Sequence, residues 1–205
     1  MLYFHAKIQL FLSSDKNLYL CRMIQILISD FSEYSLPEMA QLAIEGGASW
    51  LILSLPDNID ALRDDITATV TLCREEGVIL TIEDRPDTAR EYGIHGVFLT
   101  SPEADAPALR EELGPEAIIG VMVSSSDNVE QLKAADIDYI AARPDFAFPA
   151  GCVLPVVAYV PDLEPDPEVV KQLLHKGFSG VCAGRSFFSS KNPAGLIKDI
   201  IDVIA

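Results

Sequence analysis

Short apolar runs punctuate the chain from Met23 onward. They read IQILI (24–28), WLIL (50–53), VILTI (78–82), GVFL (96–99), IIGVMV (118–123), YIAA (139–142), VVAYV (156–160) and GVCA (180–183). Within each run apolar residues mostly follow one another instead of alternating with polar ones. That is the pattern of parallel strands covered on their outer face. Amphipathic segments separate most of the runs. PEMAQLAIEGG carries Pro37 near its start and glycine at its end, a good pair of helix boundaries. SSSDNVEQLKAAD sets Ser and Asp ahead of its apolar positions as caps. DPEVVKQLLHKG ends in Gly177, and NPAGLIKDIIDVIA closes the chain.

Eight such units in about 180 residues predict a compact (β/α)8 TIM barrel, with a doubly wound sheet as the alternative. One unit is incomplete. Between YIAA and VVAYV lie only RPDFAFPAGCVLP, about a dozen residues rich in Pro and Gly. That is too short for a loop, a full helix and a return. The sixth outer helix is therefore expected to be missing and apolar barrel surface to be exposed there. A partner subunit, as in a homodimer, or the N-terminal MLYFHAKIQLFL would cover it; a partner is the expectation.

Composition narrows the function. At 205 residues, 49% hydrophobic and 22% charged, the chain is an ordinary globular protein, most simply one domain over residues 23–205. A net charge of −16 speaks against nucleic acid, which needs clustered Lys and Arg. Cys21, Cys73, Cys152 and Cys182 show no CxxC spacing, so they read as reduced thiols of a cytoplasmic protein, with Cys73 and Cys182 as core residues. Residues 1–22 read as an extension. Its apolar start is too short to span a bilayer and is broken by Lys7 and Gln9. Patterning begins at Met23, which makes that residue an alternative start. No membrane association is expected.

Several motifs then fall in order. GVILTIEDRPDTAREYGIHGVFLTSPEAD, LGPEAIIGVMVSSSDNVEQLKAADIDYIAARP, GFSGVCAGRSFFSSKNPAG and EGGASWLILSLPD together resemble the thiamine-phosphate synthase and thiazole tautomerase superfamily over residues 23–205, apart from the shortened stretch near 143–155. The resemblance implies a (β/α)8 barrel with its site at the C-terminal ends of the strands. It also implies a reaction that joins hydroxymethylpyrimidine diphosphate to thiazole phosphate, with magnesium (Mg) and basic side chains on the departing diphosphate.

By that resemblance the two magnesium-binding aspartates fall on Asp84 and Glu103, and the Asn before the first becomes Glu83. Three oxygen ligands at neighbouring strand ends suit a hard cation. The alternative is an Asp84–Arg85 ion pair and helix cap. The basic half is depleted: the family's Gln, Arg and Lys fall on Ile52, Ser54 and Pro56, and its Ser and His after strand five on Met122 and Ser124. The shortened segment holds no Lys, and VPDL (160–163) has no glycine for a phosphate turn. Gly184 and Arg185 open a short helical turn where barrels often bind phosphate, against the alternative that Arg185 pairs with a local carboxylate. Arg143 is a second phosphate candidate, with an ion pair to Asp145 or to Glu83/Asp84 the favoured alternative. His95 and His175 read as helix-end or surface residues, Phe98 and Tyr159 as either ring-stacking or core residues, and Ser124–Ser126 as helix caps. The expected partner is a phosphorylated small heterocycle, bound by a diverged synthase with a degenerate site. A catalytically inactive binding or assembly barrel is the alternative. A phosphosugar decarboxylase is disfavoured because no Asp-x-Lys-x-x-Asp motif is present.

Overall fold

The computed structural model describes residues 23–30, 33–101, 106–125, 129, 132, 136–149, 152–162 and 166–204. The eight apolar runs become eight parallel strands: β1 (Met23–Ser29), β2 (Trp50–Ser54), β3 (Ile79–Glu83), β4 (Gly96–Leu99), β5 (Ile118–Val123), β6 (Tyr139–Ala142), β7 (Val156–Tyr159) and β8 (Gly180–Ala183). Each pairs with its neighbours in sequence, and β8 returns to β1 through Met23 opposite Gly180. The sheet is a closed barrel, which settles the choice against a doubly wound sheet.

Helices wrap the outside because each presents an apolar stripe. In α1 (Leu36–Glu45) that stripe is Leu36, Met39, Ala40 and Ala43. Its start is fixed by a capping box: the Ser35 backbone N–H donates to Glu38 Oε2 at 2.8 Å. α2 (Arg63–Glu76) buries Ile66, Val70 and Cys73 and stops at Gly77, whose φ of 68° suits a residue without a Cβ. α3 (Pro86–Tyr92) and α4 (Ala106–Leu113) follow β3 and β4. After β5, Val129 and Leu132 are helical and buried. α5 (Pro167–His175) is capped by Asp166, which accepts the Glu168 N–H at 2.9 Å. α6 (Arg185–Phe188) and α7 (Pro193–Ile204) end the chain.

Two apolar layers result. The outer one lies between strands and helices. The inner one fills the barrel with Leu27, Trp50, Ile52, Phe98, Tyr139, Val157 and Cys182 among others. Burying side chains of this size is worth roughly 1.5–3 kcal/mol each. The interior rings pack edge-on and stacked: Trp50 to Tyr139 at 5.3 Å and 80°, Phe98 to Tyr139 at 6.2 Å and 11°. Gly120 backs onto the Tyr139 ring, and any added Cβ would fall inside it. Trp50 Nε1 donates to Thr81 Oγ1 at 3.1 Å, so the one tryptophan satisfies its polar atom within the barrel.

Among the described residues no helix lies between β6 and β7, as the spacing predicts. The expected exposure of barrel surface does not follow. Ile140, Ala142, Val156 and Ala158 are all buried, and Phe146, Cys152 and Leu154 of the connecting segment pack against the outer core. Phe148 stands edge-on to Phe146 at 5.6 Å and to Phe178 at 5.0 Å. Side chains of the connection thus do the work of the missing helix, and among the described residues Val153 and Phe148 are the large apolar ones left exposed. Residues 1–22 lie outside the described residues, and with them the expectations about the N-terminal extension and Cys21.

Cys73, Cys152 and Cys182 are free thiols. Burial pushes the Cys73 thiol up to about 12, so it acts as a small apolar residue. Among the described residues no helix is long and apolar enough to cross a membrane.

Candidate functional site

A cavity of about 670 Å³ opens at the C-terminal ends of the strands. Phe98 of β4, Met122 of β5 and Tyr159 of β7 line it as inward-pointing strand residues. Thr100 follows β4. Arg143 and Phe146 come from the segment after β6, whose turn is closed by the Phe146 N–H donating to the Arg143 carbonyl at 3.0 Å. The floor is aromatic, with Phe98 and Tyr159 at 5.6 Å and 36°. Arg143 is the one cation among the described residues that line the cavity.

Glu83, the last residue of β3, sits beside this floor. It is half-buried and accepts the Tyr159 hydroxyl at 3.2 Å. Burial raises its carboxyl above the usual range; hydrogen bonds from Ser54 and Tyr159 oppose that rise, and the neighbouring Asp84 adds to it. Burial likewise raises the Tyr159 hydroxyl, with the Glu83 charge as the second cause. Two groups singled out separately in the sequence, 76 positions apart, are thus one hydrogen-bonded pair.

Asp84 and Arg85 do not pair with each other, contrary to the alternative weighed for them. Asp84 has a φ of 47°, in the left-handed region that Asp tolerates better than most residues. This turns its carboxylate toward β4, where Oδ1 accepts the Thr100 N–H at 2.8 Å and Oδ2 accepts the Thr100 hydroxyl. Arg85 turns toward β2, donating to the Pro56 carbonyl and lying 3.6 Å from Asp57. It stands at the start of α3 without capping it through its side chain.

Magnesium finds no ready cage here. Among the described residues no group of three or more His, Cys, Asp or Glu is placed to hold a metal ion. Asp84 is committed to Thr100 and Glu83 to Tyr159 and Ser54. Glu103 lies outside the described residues.

The phosphate candidates separate. The Gly184 and Arg185 N–H groups both donate to the Pro161 carbonyl, at 3.2 and 3.0 Å, so neither points at a ligand. Gly184 is a glycine for packing: a Cβ there would run into the Leu27 carbonyl of β1. The Arg185 guanidinium pairs with Asp162 at 3.2 Å, the alternative reading of that residue. Arg143 makes no ion pair among the described residues, so the expected partnership with Asp145 or Glu83/Asp84 is not formed. Cavity lining, not charge pairing, is its place. Ser124 and Ser125 also line the cavity, and Ser126 lies outside the described residues. Ile52 is wholly buried inside the barrel, and Ser54 binds Glu83.

His175 is exposed at the end of α5, as expected. His95 is not a surface residue. It is half-buried between α3 and β4, and Nδ1 accepts the Leu80 N–H at 3.0 Å, which requires a lone pair on that nitrogen. Burial holds it below the usual histidine value.

Comparison with known proteins agrees with this barrel. Residues 25–147 match the model of the thiamine monophosphate synthase family. Thiamine-phosphate synthase of Azorhizobium caulinodans is 34% identical over 114 residues, 55% of this chain and 54% of the relative. That of Bacteroides fragilis is 23% identical across 88% of this chain and 98% of the relative. The chain thus spans about half the length of the first of these relatives and nearly all of the second. Among solved structures, thiamine phosphate pyrophosphorylase from Pyrococcus furiosus superposes with a TM-score of 0.76 at 18% identity, covering 92% of this chain and 98% of that one. A 3-hexulose-6-phosphate synthase superposes at 0.64 with 14% identity, covering 89% and 100%. These two share the fold.

Proposed function

Since the chain belongs to the thiamine monophosphate synthase family, we propose that its barrel mouth binds a phosphorylated heterocycle of thiamine biosynthesis, with a degenerate grip on diphosphate. The observation that carries this reading is the cavity itself: an aromatic floor of Phe98 and Tyr159 with Arg143 at its wall. The floor suits a planar ring, and a guanidinium suits a phosphate by its two-pronged donor geometry.

A departing diphosphate needs several cations around it. Ile52, Ser54 and Pro56 carry no charge, and Arg85 and Arg185 are turned onto Asp57 and Asp162. Each missing charged contact is worth roughly 1.5–3 kcal/mol. Several together remove many orders of magnitude in rate. The reaction joining hydroxymethylpyrimidine diphosphate to thiazole phosphate is therefore weak or lost. Of the carboxylates the resemblance gives to magnesium, Asp84 is engaged by Thr100 and Glu83 by Tyr159 and Ser54. The second reading, a non-catalytic barrel serving as an assembly module, rests on the same missing cations.

The test is thermal stability against thiazole phosphate, thiamine phosphate and diphosphate, each with and without magnesium. A ligand at 100 times its dissociation constant adds about 2.7 kcal/mol to stability. The monophosphates are expected to raise the melting temperature and diphosphate is not. No shift with any of them would leave the assembly reading standing.

A further inference from the structure

A second cavity lies at the end of the barrel opposite the mouth. It is a groove of about 460 Å³ between the last turns of α5 and α7 and the entry to β8, with Leu174, Phe178 and Val203 as its apolar wall. We propose that the chain's own N-terminal segment, MLYFHAKIQLFL (1–12), docks in this groove and covers that end of the barrel.

The place where β1 begins carries the argument. The Met23 N–H donates to the Ser179 carbonyl at 2.9 Å, and Ser179 also lines the groove. The chain before Met23 therefore joins the barrel at the groove's edge. Residues 13–22 can reach up to roughly 35 Å when extended, far enough to lay residues 1–12 along the groove. A segment on so short a tether has an effective concentration on the order of mM, which favours it over a second copy of the chain.

Its sequence suits the surface. Phe4, Ile8, Phe11 and Leu12 recur at the spacing of one helical face. In the groove wall, Phe178 stands edge-on to the exposed Phe148 at 5.0 Å, so the apolar surface continues onto the connection that replaces the missing helix. Continuous apolar surface of this kind marks a place where another segment packs. Charge agrees. Lys7, Lys16 and Arg22 outnumber Asp15 before Met23, in a chain whose net charge is −16. The cation at the groove's rim, Lys171, is already paired with Glu168 at 2.6 Å.

Native lysines supply the test. The full-length protein, as a mixture of unlabelled and nitrogen-15-labelled copies, is treated with a short amine-reactive cross-linker and digested for mass spectrometry. Lys7 is expected to join Lys171 or Lys176, at the end of α5, within one copy. It should leave Lys191, at the far end of α7 and roughly 15 Å away, largely unlinked. In the full-length double variant Ile8→Asp, Phe11→Asp the Lys7 links should fall roughly tenfold, because two buried apolar side chains are lost. Val203→Asp, on the groove side, should lower them in the same way, with circular dichroism as the check on folding. Lys7 linking to Lys191 as readily, or not linking to the end of α5 at all, overturns the inference, and that comparison needs no variant. Links that join labelled to unlabelled copies give the groove to a second chain and overturn it as well. So do links that persist undiminished in either folded variant.

Discussion

The carboxylate of Asp84 closes on Thr100, taking its backbone N–H on one oxygen and its hydroxyl on the other. This ties the end of β3 to the end of β4 where the family resemblance places a metal ligand. Asp84→Ala loses both bonds and leaves alanine at a φ of 47°. The expected cost is about 2 kcal/mol, or roughly 4–8 °C in melting temperature. Thr100→Val loses one bond and should cost about half as much. Both losses should be the same with and without magnesium. A magnesium-dependent stabilisation that disappears in Asp84→Ala would make Asp84 a ligand instead.

Glu83 gives a stability signature of its own. Its folded carboxyl is raised above the unfolded value near 4.5. The stability tied to its neutral form is fully present below that value and is lost as pH rises through the raised one. Glu83→Gln keeps the acceptor for Tyr159 and removes the charge. It should melt higher than wild type at pH 8, and the gap should close near pH 4. Melting curves at the two pH values decide it.

His95 titrates in the opposite sense. Burial lowers its folded value below the unfolded 6.5. Stability from neutral His95 is complete above 6.5 and is lost as pH falls between that value and the lowered one, at about 1.4 kcal/mol per unit of depression. His95→Asn offers an oxygen to the Leu80 N–H and cannot titrate. Denaturant unfolding of this variant between pH 5 and 8 should depend less steeply on pH than that of wild type.

Much of this fold was legible in the chain. The eight apolar runs fall on the eight strands, and the short Pro-rich stretch after YIAA marks the missing helix, because strand length and connection length leave little freedom. What stayed hidden depends on distant partners. Glu83 and Tyr159 meet only because β3 and β7 face each other across a closed barrel. Asp84 and Arg85 looked like a pair because they are adjacent, yet neighbours at a strand end point to opposite sides. The covering of β6 and β7 comes from FAFP, whose aromatic residues replace a helix face that connection length alone rules out. Gln25 and Tyr139 reside within the barrel, where a run-based reading expects only apolar side chains.

The barrel interior yields a packing prediction. Gly120→Ala would thrust a methyl group into the Tyr139 ring, which Trp50 and Phe98 hold from other sides. The expected loss is about 1–3 kcal/mol, read from chemical denaturation. Gly120→Ala with Tyr139→Phe should recover little, because the clash includes ring carbons as well as the hydroxyl.

The central claim is that the mouth keeps a heterocycle phosphate through Arg143 after losing its hold on diphosphate. Calorimetric titration of thiazole phosphate into wild type and Arg143→Ala, with magnesium diphosphate as the competing ligand, tests it most directly. Saturable binding in wild type, weakened roughly 10- to 150-fold in Arg143→Ala and undisturbed by diphosphate, is the predicted result. Tighter binding of magnesium diphosphate than of thiazole phosphate, or an Arg143→Ala protein with wild-type affinity, would contradict the account.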